Sequence, residues 1–192
     1  MRRGEISLFS AVTSTRPRDA KERKSPRVKC ILAPVHANAK LIESFYTAFQ
    51  KRDGAAMEAC YHPDITFSDP VFPELRGPRA GAMWRMFTAR KDSDLAIEFR
   101  DVTGNDDSGT AHWDARYTFP TTGRKVLNQI DATFEFKDGK IIRHTDHFDM
   151  WKWTRMALGP VGYALGWSPI VKNKVRKLAA ANLDAFLAGK AG

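Results

Sequence analysis

The segment Asp64-Ile-Thr-Phe-Ser-Asp-Pro-Val-Phe72 alternates polar and apolar side chains until a proline interrupts it. The alternation predicts a short β-strand, and Pro70, which has no amide hydrogen, predicts that the strand ends at Asp69. A carboxylate at a strand end can point into a cavity, where apolar neighbours such as Phe67 and Phe72 would raise its pKa. Asp69 is therefore a candidate general base. The alternative is that Asp69-Pro70 is only a turn, because both residue types favour turns.

Helical patterns precede strand patterns along the chain. Apolar residues recur at helical spacing in residues 36–51 and 78–90, and a shorter helix is predicted at 55–61. From residue 95 the apolar period changes to two, which predicts a series of strands. The predicted strands are 95–100, 110–119, 126–136 and 140–148. Because the links between them are short, the strands must be antiparallel, and the whole pattern predicts an α+β domain whose sheet curls around the helices.

The formal net charge of +9 is distributed unevenly along the 192 residues. The basic surplus lies near the two ends, whereas residues 31–149 are slightly acidic. We therefore expect a disordered basic arm at 1–35, a folded domain at 36–149 and a helical extension at 150–192. A domain that binds nucleic acid should carry its basic residues on the folded surface, so no nucleic-acid partner is expected.

The cysteine content and the hydropathy pattern favour a cytoplasmic protein. Cys30 and Cys60 are too few for a disulfide framework and lack the spacing of a metal site. Residues 1–29 lack the apolar centre of a secretion signal, and no apolar run of about 18 residues predicts a membrane span. No metal or organic cofactor is expected.

The strand predicted at 110–119 has an ionisable face and an aromatic face. The ionisable face holds His112, Asp114 and Arg116, and the aromatic face holds Trp113, Tyr117 and Phe119. Later strands add Asp131, His144 and Asp146. If the ionisable face lines the cavity, four of these residues could relay protons or orient a ligand beside Asp69. The four are His112, Asp114, Asp131 and Asp146.

Two alternatives accompany this orientation. The ionisable residues could instead face solvent as cross-strand ion pairs. His112, His144 and Asp146 have the residue types of a metal triad, although they lie on different strands and nothing in their spacing brings them together. With the ionisable face inward, an outer patch of aromatic residues would require burial, which predicts a homodimer. The patch would consist of Trp113, Tyr117, Phe119, Phe134 and Phe136.

Four segments together resemble the nuclear transport factor 2-like superfamily, the cone-shaped α+β fold of ketosteroid isomerases, limonene epoxide hydrolases and SnoaL-like polyketide cyclases. They are Leu41-Ile-Glu-Ser-Phe-Tyr-Thr-Ala-Phe49, Tyr61-His-Pro-Asp-Ile-Thr-Phe-Ser-Asp-Pro70, Leu75-Arg-Gly77 and Asp138-Gly-Lys-Ile-Ile-Arg-His-Thr-Asp-His-Phe-Asp149. The resemblance covers about Ala37 to Asp149. It implies a curved sheet around N-terminal helices, a homodimer and a pocket for a small, largely apolar molecule.

The isomerase pattern, carried onto this chain, implies that Asp69 is the general base and Asp131 the protonated acid that stabilises an enolate. The tyrosine of that pattern is replaced by Phe45, with Tyr46 next to it.

The epoxide hydrolase pattern implies instead that Asp114 and Asp146 activate water and protonate the epoxide. The arginine between them is replaced by His112, and the tyrosine and asparagine that hold the water are replaced by Phe67 and Asp69. We therefore expect an acid/base isomerase, cyclase or hydrolase of ketosteroid isomerase-like or epoxide hydrolase-like activity. The alternative is a non-catalytic ligand-binding or assembly domain.

The segment after Asp149 extends beyond the resemblance. Residues 149–158 and 169–187 are predicted helices, separated by a Gly159-Pro160 break. Aromatic residues followed by lysines and arginines are typical of a peripheral membrane contact. Alternatively, the helices fold back, and Trp151, Trp153 and Met156 close the mouth of the cone or pack on a partner subunit.

Overall fold

The computed structural model describes residues 35–90 and 93–189, and the predicted basic arm lies outside the described residues up to residue 34. The described residues form six helices and one six-stranded sheet. The helices are α1 (Ala37–Gln50), α2 (Gly54–Ala59), α3 (Pro78–Ala89), α4 (Met150–Leu158), α5 (Pro160–Leu165) and α6 (Pro169–Leu187). The strands are β1 (Tyr61–Ser68), β2 (Leu75–Arg76), β3 (Ala96–Gly104), β4 (Ser108–Phe119), β5 (Arg124–Lys137) and β6 (Lys140–His147).

The helices begin where the sequence provides caps. The Asp53 side chain accepts a hydrogen bond from the Ala56 amide at the start of α2, and a proline opens α3. The predicted second helix is too long at its C-terminal end. Tyr61 does not continue α2, because it pairs with Ile141 in the sheet and begins β1.

The sheet has the strand order β2-β1-β6-β5-β4-β3. Strands β3 to β6 form the predicted antiparallel meander. Strand β1 runs parallel to β6, with Phe67 opposite His144, and β2 adds a two-residue edge. Neither pairing follows from local sequence, because each depends on which distant strand is adjacent. The result is the α+β fold expected, a curved open sheet packed against N-terminal helices.

The orientation expected for β4 is wrong, because its aromatic face points inward. Trp113 is buried and its ring contacts Tyr46, Phe49 and Trp84. In the strand register Trp113 lies opposite Phe99 on β3, so the large apolar residues of both strands share one face. Burying an aromatic side chain stabilises the fold by roughly 2–3 kcal/mol, whereas burying unpaired charges is unfavourable. The ionisable residues therefore face outward.

The expected outer aromatic patch is absent from the described residues. Trp113 and Phe134 are buried, and Tyr117, Phe119 and Phe136 are partly buried against the core. The prediction of a homodimer from this patch therefore has no support in the fold. It rests only on the resemblance to the superfamily.

The C-terminal extension packs back on the domain through Trp153 and Met156, whereas Trp151 is 41% exposed. On α4, Met150, Trp153 and Ala157 form a small second core with Val126 of β5. On α6, three apolar residues at intervals of four face the domain, namely Val175, Ala179 and Leu183. Leu183 is fully buried. Within residues 35–90 and 93–189, no helix is both long enough and apolar enough to cross a membrane.

Candidate active site

A chain of buried hydrogen bonds links the helices to the inner face of the sheet. Trp84 Nε1 on α3 donates to Tyr61 Oη at 2.7 Å, and Tyr61 Oη lies 2.7 Å from His144 Nδ1. His144 Nε2 lies 3.1 Å from Asp146 Oδ1, which also accepts a bond from Trp113 Nε1 at 3.2 Å. All five residues are buried, and His144 has no exposed surface. We call these five residues the buried network.

The acceptor carboxylate of Asp146 and the donor indoles of Trp84 and Trp113 set the directions in the buried network. A neutral His144 that donates from Nε2 to Asp146 accepts at Nδ1, so the Tyr61 hydroxyl donates to Nδ1 and accepts the bond from Trp84. The network is therefore fully satisfied at His144 and leaves Asp146 Oδ2 without a hydrogen bond from the described residues.

Asp69 lies at the end of β1, close enough to Asp146 for their charges to interact. Burial raises the pKa of the Asp69 carboxyl to about 7, and the charge of Asp146 adds to the shift. Hydrogen bonds from the Phe72 and Val71 amides, together with the charge of Arg176, oppose it. A carboxyl with this pKa can both accept and release a proton near neutral pH.

Asp69 is also a turn residue, so both interpretations of this segment describe its geometry. Its Oδ1 accepts the Val71 amide at 2.7 Å and the Phe72 amide, and its own amide donates to the Phe72 carbonyl. No described residue forms a hydrogen bond with Oδ2. The turn therefore fixes the carboxyl without using its second oxygen.

A further hydroxyl lies beside the buried network. Tyr46 on α1 is fully buried, and its Oη has no hydrogen-bond partner among the described residues. Burial raises the pKa of this hydroxyl well above its ordinary value, and the nearby charge of Asp146 raises it further. An unpartnered buried hydroxyl is rare because it loses its bond to water without replacing it. Tyr46 Oη is thus an unused hydrogen-bond donor enclosed by the aromatic core, near enough to Asp146 to feel its charge.

The space between helices and sheet is filled mainly by rings. The His144 ring lies within 5.9 Å, centroid to centroid, of four aromatic rings, those of Phe45, Phe67, Trp84 and Phe134. The C-terminal extension covers the end at Asp69, where Arg176 Nε donates to the Pro70 carbonyl at 2.9 Å. Two surface depressions lie elsewhere, one beside Arg124 and Tyr163 and one along α1. Access to Asp69 therefore depends on the position of α6.

A second set of ionisable residues lies on the outer face. His112 contacts Asp131 Oδ1 through Nδ1 at 2.6 Å and Asp114 Oδ1 through Nε2 at 3.3 Å, and Arg100 Nη1 donates to Asp114 Oδ2 at 3.0 Å. Desolvation of Asp114 opposes these bonds, but Arg100 and His112 prevail and lower the pKa of its carboxyl. We call these four residues the outer network.

The five candidates from the sequence thus fall into two groups. Asp146 is on the inner face and is near enough to Asp69 for their charges to interact, whereas His112, Asp114 and Asp131 belong to the outer network. The Asp131 side chain is 78% exposed. The isomerase pattern is therefore split, because Asp131 is on the outer face and Asp69 is not. The epoxide hydrolase pattern is split as well, because Asp114 is on the outer face and Asp146 on the inner face. The metal triad is divided as well, because His112 is on the opposite face from His144.

Sequence reasoning missed Tyr61 and Trp84 of the buried network, and Arg176 beside Asp69. The local pattern predicts a helix that includes Tyr61, although Tyr61 begins β1. Trp84 belongs to the apolar stripe of residues 78–90, and nothing in that stripe indicates that its indole N–H forms a hydrogen bond. Arg176 comes close to Asp69 only through the packing of α6. Among the described residues, no group of three or more metal-binding side chains is close enough to hold a metal ion.

The fold is that of the cone-shaped class of α+β proteins, and the sequence match is more specific. The family model of the SnoaL-like domain matches residues 42–144, so the chain belongs to the SnoaL-like family. No curated protein has a significant sequence match to the chain.

Solved structures share the fold. An LEH-like epoxide hydrolase from M. tuberculosis has a TM-score of 0.54 at 18% identity, over 64% of this chain and 90% of its own. TerC, co-crystallised with polyporic acid, has a TM-score of 0.55 at 18% identity, over 65% of this chain and 100% of its own. An NTF2-like protein from Burkholderia thailandensis has a TM-score of 0.55 at 17% identity, over 66% and 100%. At these identities the likeness concerns the fold alone, and about a third of this chain has no counterpart.

Proposed function

We propose that this SnoaL-like protein binds a small, largely apolar molecule at the Asp69 end of the cone and acts on it as an acid/base isomerase, cyclase or hydrolase. The observation that carries the proposal is the Asp69 carboxyl, whose pKa is raised to about 7 beside Asp146. Ordinary turn aspartates are fully ionised at neutral pH and are weak bases. A base that titrates near neutrality is suited to proton transfer.

In the proposed mechanism Asp69 Oδ2 accepts a proton from a carbon acid or from an attacking water. The apolar side chains of Val71 and Phe72 keep the carboxyl partly desolvated and provide surface for an apolar ligand. Asp146, held by His144 and Trp113, keeps the electrostatic environment negative, which raises the pKa of Asp69 and makes it a stronger base. The Tyr46 hydroxyl is the donor for the oxygen on which negative charge develops. His112, Asp114 and Asp131 have no step in this mechanism.

The runner-up proposal is a non-catalytic ligand-binding or assembly domain. It is favoured by the filling of the cone with aromatic rings and by the use of Asp69 Oδ1 in a turn. The two proposals differ in whether the protein converts the bound molecule to a product. Homodimerisation and a cytoplasmic location also remain predictions, the first from the superfamily and the second from cysteine content.

The test begins with native mass spectrometry of the purified protein, which should show a bound small molecule. The ligand, together with a β,γ-unsaturated ketone and a small epoxide as probes, is then assayed for turnover. Asp69→Asn should reduce turnover by about 10²–10⁴-fold, the usual contribution of a general base. The matched control Asp131→Asn removes an outer-face carboxylate and should leave the rate within about twofold. Equal rates for Asp69→Asn and wild type would reject Asp69 as the base, and ligand binding without turnover would favour the binding domain.

A further inference from the structure

The corner formed by α4, α5 and the start of α6 exposes a group of large apolar side chains. We call it the C-terminal aromatic surface, and it consists of Trp151, Val161, Tyr163, Leu165, Trp167 and Ile170. Ile170 is 81% exposed, and Tyr163 and Trp167 are each 61% exposed. These six account for most of the large apolar side chains exposed among the described residues, since the others are Val35, Phe87, Leu178 and Leu187.

Two members of this surface, Trp151 and Tyr163, contact the same basic side chain. The Arg155 guanidinium lies 4.5 Å from the centre of the Trp151 ring and 5.5 Å from that of Tyr163, so it joins α4 to α5. Tyr163 and Trp167 are four residues apart, and the Trp167 indole donates to the Ala164 carbonyl. Ile170 lies three residues after Trp167, in the first turn of α6. Clustered apolar surface of this kind marks a contact site, because scattered exposure would need no explanation.

The charge around the surface has one sign. The basic residues of α4 and α6 are Lys152, Arg155, Lys172, Lys174, Arg176 and Lys177, against one acid, Asp184, which is paired with Arg79 at 2.8 Å. Two of the six are bonded to the domain, Lys152 to Gln129 and Arg176 to the Pro70 carbonyl. Lys174 follows Ile170 by four residues and therefore lies on the same side of α6. Arg124 is also adjacent, since it lines a depression with Tyr163. The partner of this surface should therefore be both apolar and negatively charged.

We infer that the C-terminal aromatic surface binds peripherally to the surface of an anionic phospholipid bilayer. Tryptophan and tyrosine favour the bilayer interface, where the ring is buried among lipid and the polar atom stays hydrated. Lysine and arginine next to them are attracted to anionic headgroups. A second copy of the chain on the same surface would place like charges opposite each other, which opposes self-association. The helices lie on the bilayer and do not cross it.

The test is co-sedimentation of the full chain with vesicles of phosphatidylcholine and phosphatidylserine, compared with vesicles of phosphatidylcholine alone. The wild type should bind the anionic vesicles, and binding should decrease as salt is added. Trp167→Ser combined with Ile170→Ser leaves the net charge unchanged and should weaken binding by about tenfold or more. Both side chains are exposed, so the fold should be preserved, which circular dichroism checks.

Two matched pairs separate this surface from general attraction between a basic protein and anionic lipid. Lys174→Glu with Lys177→Glu should weaken binding by at least about 30-fold, because each lysine near the bilayer contributes roughly fivefold. Lys40→Glu with Lys51→Glu makes the same change in net charge on α1, where both lysines are exposed, and should have a much smaller effect. Val35→Ser with Leu187→Ser is the corresponding control for the apolar pair.

Three results would overturn the inference. The first is failure of the wild type to sediment with anionic vesicles. The second is equal weakening by the C-terminal and control pairs, which would assign binding to net charge. The third is a loss of self-association in Trp167→Ser with Ile170→Ser, measured by light scattering, without any change in vesicle binding. That result would make the C-terminal aromatic surface an interface between proteins.

Discussion

The two faces of the sheet carry the same pair of residue types in different surroundings. On the inner face His144 and Asp146 are enclosed by aromatic rings and bonded only to neutral donors besides each other. On the outer face His112 lies between Asp114 and Asp131, with Arg100 as a further partner. The side chains of His144 and Asp131 are 0% and 78% exposed, respectively. Residue type alone therefore does not identify a site.

The difference shows that neighbouring groups decide what an aspartate can do. Asp69, on the inner side, has its pKa raised to about 7 by burial and by another carboxylate. Asp114, on the outer face, has its pKa lowered, because bonds from a guanidinium and an imidazole overcome its desolvation. The first carboxyl can exchange a proton near neutrality, whereas the second is held as an anion in an ion-pair network.

The largest expected difference between the faces is in stability. His144→Ala should lower the free energy of unfolding by about 3–5 kcal/mol, because it leaves the Asp146 charge buried with a single donor. The corresponding outer-face change, His112→Ala, should lower it by only about 1 kcal/mol, because Asp114 keeps its bond from Arg100 and Asp131 is open to water. Urea unfolding followed by tryptophan fluorescence measures both. Similar losses would mean that burial does not distinguish the two networks.

A smaller effect is expected from the protonation of Asp69. The folded protein holds this proton up to about pH 7, whereas the unfolded chain releases it near its ordinary pKa of 3.8. The stability contributed by the group is therefore fully present below about pH 4 and is lost as the pH rises through 7. After allowance for partial exposure, we expect a loss of about 2 kcal/mol over this range. Asp69→Asn should flatten the pH profile, and a wild-type slope retained in the variant would contradict the assignment.

Asp114 should show the opposite pH dependence. Its lowered pKa contributes stability that is present above the ordinary value and is lost as the pH falls through the folded pKa. Asp114→Asn should thus lower stability at pH 7 by about 1–2 kcal/mol, near the lower end of the range for hydrogen bonds to charged groups. Thermal unfolding at about pH 7 and pH 3 should show this difference shrinking in acid. A difference that grows in acid would place Asp114 in a different electrostatic environment.

The smallest effect is expected at the Glu98–Arg116 pair on the outer face. Both side chains are about half exposed or more, and the ion pair is open to water and salt. Arg116→Gln should change the free energy of unfolding by no more than about 0.5 kcal/mol. Denaturant unfolding at low and high salt measures it. A loss above 1 kcal/mol would show that this outer-face ion pair stabilises the fold more than its exposure indicates.

Much of the fold follows from local sequence. The change from helical spacing to alternation, and the glycine turns between strands, predict α1, α3 and the antiparallel meander of β3 to β6. The parallel pairing of β1 with β6 could not be predicted, because it joins residues about 80 apart in sequence. The boundary at Tyr61 was missed for the same reason, since its pairing with Ile141 overrides local helix preference.

The sequence alone determined which residues share a face of each strand, because alternation is a local property of extended backbone. It also determined that the strand stops before Pro70, although β1 ends at Ser68, one residue earlier than predicted. Only the tertiary structure decided which face is buried, because that depends on the summed apolar area that α1 and α3 cover. The same packing brought Asp146 and Arg176 to Asp69, and separated Asp69 from Asp131. A pKa near 7 at Asp69 is therefore a property of the assembled fold, since it arises from desolvation and from charges distant in sequence.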